Sequence, residues 1–150
     1  MMRMIAAILL FSSLFVGCSA NNSNDLSKWD EERVYRFLNE IKSYISDIPI
    51  ESTNKEDIVK LYEKYFSSEL SSTIVDSLYD KTDSGWKIPD GDAGYLFIVP
   101  NNKQNDVTIN INKDAILVQE KYESESWMYS NIQYTISFNK KPIITEWIME

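Results

Sequence analysis

The chain is expected to fold as an α+β domain, with N-terminal helices packed on a curved antiparallel sheet. Three observations lead there. Apolar residues recur at three- and four-residue steps from Val34 to Tyr79, the period of a helix with one buried face. From Tyr95 onward the period falls to two, as in half-buried strands. The strand-like runs are joined by links too short for the crossovers that parallel pairs need, so neighbours must run antiparallel. Helices first and a meander afterwards is the α+β order.

Ser27 and Asp30 have the spacing of a capping box, and Glu31 and Glu32 suit the first turn of a helix. Val34, Phe37, Leu38, Ile41 and Ile45 form its apolar stripe. Asp47-Ile48-Pro49 ends it, because the residue before a proline is pushed out of the helical region. A second helix is expected from Thr53, with Thr53-Asn54-Lys55-Glu56 as its box and Ile58, Leu61, Tyr62, Tyr65 and Phe66 as its stripe. Ser67-Ser68-Glu69-Leu70 reads as a break and a fresh cap. A third helix then carries Leu70, Ile74, Val75, Leu78 and Tyr79. No proline interrupts any of the three.

Asp80 to Gly94 reads as a loop, with Asp, Gly and Pro89 as turn residues. Strands are expected at Tyr95–Val99, Val107–Ile111, Ala115–Tyr122, Met128–Phe138 and Ile143–Met149. Asn101-Asn102-Lys103, Asn112-Lys113-Asp114 and Asn139-Lys140-Lys141 are tight connections between them.

The helix break Tyr65-Phe66-Ser67-Ser68-Glu69-Leu70, the hairpin strands Ala115–Val118 and Tyr134–Phe138, and the closing Pro142–Ile148 resemble the NTF2-like, or cystatin-like, α+β cone of exported bacterial lipoproteins. In that family the last strand commonly carries a tryptophan followed by apolar residues, as at Trp147-Ile148. The similarity covers roughly residues 28–150 and implies a fold only, since such cones serve enzymes, binding modules and assembly parts alike.

The N-terminus gives an address. Arg3 is followed by an uncharged, largely apolar run from Met4 to Val16, which suits a signal peptide and is too short to span a bilayer. Leu14-Phe15-Val16-Gly17-Cys18 resembles the lipobox of bacterial lipoproteins, with Phe15 where leucine is commoner. The resemblance implies removal of residues 1–17, acyl chains such as palmitate on Cys18, and a domain facing outside the cytoplasm. Residues 18–27 are then the acylated N-terminus and its Asn/Ser-rich tether, and residues 28–150 one domain. Two or more acyl chains hold a protein firmly at a membrane.

Without residues 1–17, 14 basic residues face 23 acidic ones, a net charge of −9. That balance disfavours nucleic acid and anionic headgroups as general partners. Histidine is absent and Cys18 is the only cysteine. Ser-His-Asp and Cys-His nucleophilic sites, His/Cys zinc sites and an intrachain disulfide are therefore excluded.

Three constellations remain. Asp80, Asp83, Asp90 and Asp92 lie beside Gly85, Gly91 and Gly94, oxygen donors on a turning backbone that suit calcium; the spacing is not that of an EF-hand, and Asp and Gly are also ordinary turn residues. No metal or other cofactor is expected. Glu120, Glu123, Glu125 and Glu146 could supply an acid–base pair for a hydrolase, although an acid beside Lys121 or Thr145 in a period-two strand is expected to face water. Trp86, Tyr95, Trp127, Tyr129 and Tyr134 could line a ligand- or partner-binding pocket or be core. Trp127 and Tyr129 share the parity of Asn131, Gln133, Thr135 and Ser137, so either a bulge lies between Tyr129 and Ile132 or two aromatics stand on the polar face. The functional expectation is a non-enzymatic, membrane-anchored envelope module for a protein partner or a small apolar ligand. A carboxylate-dependent hydrolase and a purely structural assembly component are the alternatives.

Overall fold

The computed structural model describes residues 26–89, 106–121 and 131–150. A short 3₁₀ turn, Leu26–Lys28, leads into helix α1, Glu31–Ser46. Asp30 caps it, its carboxylate accepting the Arg33 N–H at 2.8 Å. The expected box thus shifts: Ser27 lies in the 3₁₀ turn, and aspartate satisfies the open donors as well as serine does. Val34, Phe37, Leu38 and Ile41 are buried, as the stripe required. Asn54, one residue past the expected start, caps α2, Lys55–Tyr62, and Ser67 caps α3, Ser68–Leu78.

Tyr65 and Phe66 leave α2 and lie along the final strand. The Ile144 N–H donates to the Tyr65 carbonyl at 2.8 Å, and the Ser67 N–H donates to the Ile144 carbonyl at 2.9 Å. This one-residue parallel bridge stitches the helical layer to the sheet. Lys141 adds a second stitch, its Nζ donating to the carbonyls of Lys64 (2.7 Å) and Glu63 (3.2 Å), which the end of a helix leaves without amide partners.

The first part of the expected Asp80–Gly94 loop is a hairpin. Strands β2, Asp80–Thr82, and β3, Gly85–Lys87, pair with each other and with β1, Glu51–Ser52, in the order β1-β3-β2. Gly85 has φ +143°, and a Cβ there would sit 2.3 Å from the Ser52 carbonyl oxygen. Only glycine lets β1 cross so closely at that backbone angle. Asp83 belongs to the turn and Asp80 to the strand, both exposed. Among the described residues no group of three acids, Cys or His converges as a metal site; Asp90 and Asp92 lie outside the described residues, as do the expected strand Tyr95–Val99 and the Asn101-Asn102-Lys103 link.

The main sheet is the expected meander: β4, Asp106–Ile111; β5, Ala115–Lys121; β6, Asn131–Phe138; and β7, Pro142–Met149, antiparallel in that order. Its inner face carries Ile116, Val118, Ile132, Tyr134, Ile136 and Ile144, which form one buried cluster with the helices. The described chain thus has an α+β architecture of three helices and two antiparallel sheets. The bulge expected before Ile132 falls outside the described residues, but one is present elsewhere. Thr135 opposes Glu146 whereas Ile136 opposes Ile144, so β7 carries one surplus residue. That surplus points both Ile144 and Trp147 inward and leaves Glu146 exposed. An unbroken strand would have put Glu146 on the face of Ile144, because side chains alternate with period two.

Candidate functional site

Each strand of the main sheet contributes to two unlike faces. Inner rows run Ile109–Val118–Tyr134–Trp147 and Val107–Glu120–Ile132–Met149. Outer rows run Asn110–Leu117–Thr135–Glu146 and Thr108–Gln119–Gln133–Ile148. Apart from Glu146, these two outer rows carry no formal charge, on a chain of net charge −8. Most residues of β5 and β6 on this face are half-exposed, and Ile148 is 42% exposed. Side chains hydrogen-bond across the strands. Thr135 Oγ1 donates to Glu146 Oε2 at 2.9 Å, the Ser137 and Thr145 hydroxyls lie 2.9 Å apart, and Gln119 Nε2 donates to Asn131 Oδ1 at 3.1 Å. The outer face is therefore a preordered array of amide and hydroxyl groups among Leu117, Ile143 and Ile148.

The acids separate. Glu120 is fully buried, contrary to the expectation that it faces water. Its parity matches Ile116 and Val118, a signal present in the sequence itself. Burial, then the carboxylates of Glu31 and Glu120, push the Tyr35 phenol above its ordinary range. Glu146 lies exposed on the opposite face, so the two acids do not converge on one substrate. Glu123 and Glu125 are outside the described residues.

The aromatic candidates also divide. Tyr134 is 1% exposed and belongs to the core, between sheet and helices. Trp86 is half-buried against the core, with Lys55 Nζ 5.3 Å from its ring centroid; Lys55 also pairs with Asp76. The structure does not bring Trp86 and Tyr134 into one pocket wall. Tyr95, Trp127, Tyr129 and Cys18 lie outside the described residues. A groove of about 320 Å³ beside α2 is lined by Lys55, Glu56, Val59, Lys60, Glu63 and Ser72. It opens to solvent, and its charged lining is unlike the enclosed, mainly apolar pockets of small-molecule sites.

Buried polar groups elsewhere serve the fold. Burial raises the Tyr62 and Tyr79 phenols; the bond from Tyr62 draws Tyr79 back part of the way, and Tyr79 donates to the Pro49 carbonyl at 2.8 Å. The Tyr65 phenol is pushed up to about 12, first by burial and then by its hydrogen bond to Glu40. No helix among the described residues is long and apolar enough to cross a membrane. No family model, curated protein or solved structure matches this chain.

Proposed function

We propose that this chain is a membrane-anchored lipoprotein of the cell envelope that binds a partner protein through the outer face of its four-stranded sheet and does no chemistry of its own. The observation that carries the binding reading is that face: ordered, with Glu146 the only charge in its two central rows, and not covered by the three helices. Interface centres are poor in charge relative to the rest of a protein surface, and this face differs in that way from its acidic surroundings. The opposed positions of Glu120 and Glu146 give no support to a hydrolase built on that pair. Burial of Tyr134 moves the reading from a small apolar ligand inside the fold toward a protein on its surface. The same element order, with a bulge that bends β7, supports an NTF2-like cone as the finer description of the fold.

The anchor rests on the leader and Cys18. Cys18→Ala should leave an unprocessed chain that takes up no radiolabelled palmitate in its host; label entering that variant would contradict the lipoprotein reading. Binding is tested separately by placing a photo-crosslinking residue at Gln133 on the outer face, or at Lys60 on α2, in living cells. A discrete adduct from Gln133 and none from Lys60 is expected. Equal adducts from both positions, or none from Gln133, would overturn the assignment of the face.

A further inference from the structure

We propose that the edge of β7 beyond its bulge takes up an extended segment of the partner protein as an additional antiparallel strand, an apolar run that ends in a lysine or arginine opposite Glu146. This rests on the protein-binding reading for its setting and deepens it, naming the form and chemistry of what the partner presents.

The backbone of β7 fixes where such a strand can pair. Asn131 and Glu150 exchange both of their backbone bonds, at 3.1 and 2.9 Å, so Glu150 turns its N–H and C=O toward β6. Bonded and non-bonded pairs alternate along an antiparallel ladder. Ile148, opposite Gln133, therefore also bonds to β6, while Met149 and Trp147 direct their N–H and C=O groups away from the sheet. Ile144 does the same before the bulge, and there the groups are used: they meet Tyr65 and Ser67. That pairing stops after one residue because α3 begins at Ser68, and a helix bonds its backbone groups within itself. Among the described residues no backbone bond continues it to Trp147 or Met149. The bulge thus divides the edge into a stretch the molecule fills and a stretch it presents.

That second stretch is accessible. Glu146, Ile148, Met149 and Glu150 are exposed, Ile148 by 42% and Met149 by 37%, and Trp147 is half-buried. Ile148 and Met149 point to opposite faces, so an added strand would find apolar surface on both sides of the sheet. Extended segments join sheet edges in this way, backbone bonds giving affinity and alternate side chains giving selectivity.

Charge decides which segment fits. An apolar edge also invites a second copy of the chain. Antiparallel self-pairing centred on Ile148 would set Glu146 opposite Glu150 of the other copy, at both ends of the pairing, and like charges directly opposite are destabilising. A cation opposite Glu146 is favoured for the same reason. Thr135 holds the Glu146 carboxylate on the outer face through a neutral hydroxyl at 2.9 Å, and β6 carries no charged residue. Helix α3, which starts beside Ile144, carries Glu69 and Asp76 and no cation; Asp76 pairs with Lys55. Lys141, at the other end of β7, is held by the carbonyls of Glu63 and Lys64. Lys121 stands on β5, two strands from β7, roughly 10 Å at strand spacing.

The test is amide hydrogen exchange at single-residue resolution, read by mass spectrometry, on the full-length chain with and without the capped peptide Ser-Thr-Val-Ile-Val-Lys-Ser. With its isoleucine opposite Ile148, its lysine meets Glu146 and its two valines bond to Met149 and Trp147. At saturation the Trp147 and Met149 amides should exchange about ten-fold more slowly, as for groups newly paired in a ladder. Methylating both valine nitrogens should remove that protection at unchanged charge. Replacing the lysine by glutamate should weaken binding about five-fold, and Glu146→Lys should reverse the order of the two peptides. Exchange that is the same with and without peptide, protection that the N-methylated peptide gives equally, or equal affinity for the lysine and glutamate peptides would overturn the added strand. So would Trp147 and Met149 amides that slow with protein concentration alone, since a second copy then fills the edge. The two readings fail separately. A Gln133 adduct without protection of Trp147 and Met149 overturns the strand and leaves the face; protection without a Gln133 adduct keeps the strand and overturns the face.

Discussion

Along β5, Ile116, Val118 and Glu120 are buried on one face, while Ala115, Leu117 and Gln119 stand half-exposed on the other. The same alternation on β6 hides Ile132, Tyr134 and Ile136 and displays Gln133, Thr135 and Ser137. One face closes the core against α1; the other holds a lattice of amides and hydroxyls in place. Two side chains of like chemistry, Glu120 and Glu146, thus live in opposite worlds, and their surroundings rather than their identity set what each can do. Burial of one and exposure of the other is enough to stop them acting as a pair.

The strongest way to break this contrast is to change strand phase. Deleting Thr135 from β6, which has no surplus residue, reverses the parity of that strand on one side of the cut and should abolish cooperative folding. Deleting Thr145 instead removes the bulge and keeps Ile144, Trp147 and Met149 in phase. It should fold, at a cost on the order of 1–2 kcal/mol for the lost hydroxyl bonds. Urea unfolding followed by near-ultraviolet circular dichroism distinguishes the two. If the Thr145 deletion also fails to fold, the bulge is more than a phase corrector.

Single substitutions come next. Tyr134→Ala should cost about 3–5 kcal/mol, as for other core aromatics. Glu120→Lys should cost a similar amount, about 3–5 kcal/mol, since it sets an ammonium group in a site that is fully buried. Glu146→Lys and Thr135→Ala on the outer face should stay within about 1 kcal/mol. Chemical denaturation measures all four, and equal costs for Glu120→Lys and Glu146→Lys would erase the distinction between faces.

Alkaline pH probes the inner side alone, because Tyr62, Tyr65 and Tyr79 all belong to the core. Their folded-state phenol pKa values are raised above the ordinary value of 10.0, Tyr65 to about 12. A raised folded pKa means the stabilising contribution is intact below pH 10 and is lost as pH climbs through the folded value. Unfolding should therefore become easier from about pH 10 to 12, with phenolate absorbance rising late and cooperatively. Phenols titrating independently near pH 10 in the folded protein would contradict their burial.

The three helices, their apolar stripes and four strands of the meander were legible in the sequence because each follows from a period. What escaped depended on contacts distant in the chain. The pairing of Glu51–Ser52 with β3 has no local signal beyond Gly85, whose positive φ makes sense only once Ser52 is seen beside it. The bulge hides because Ile144 and Trp147 are three apart, a spacing that belongs to neither simple strand phase. Glu120 is readable from its parity with Ile116 and Val118, although strand acids as a class face water.

The division of labour between the two faces can be put to one measurement: affinity capture of the protein from its own membranes, comparing the natural chain with a Gln133→Arg/Thr135→Arg variant whose melting temperature is recorded alongside. Two arginines on the open face should leave the melting temperature within about 3 °C, as for surface changes, and abolish recovery of the co-purifying partner. Undiminished recovery, or a collapse in melting temperature, would show that the outer face is not where recognition occurs.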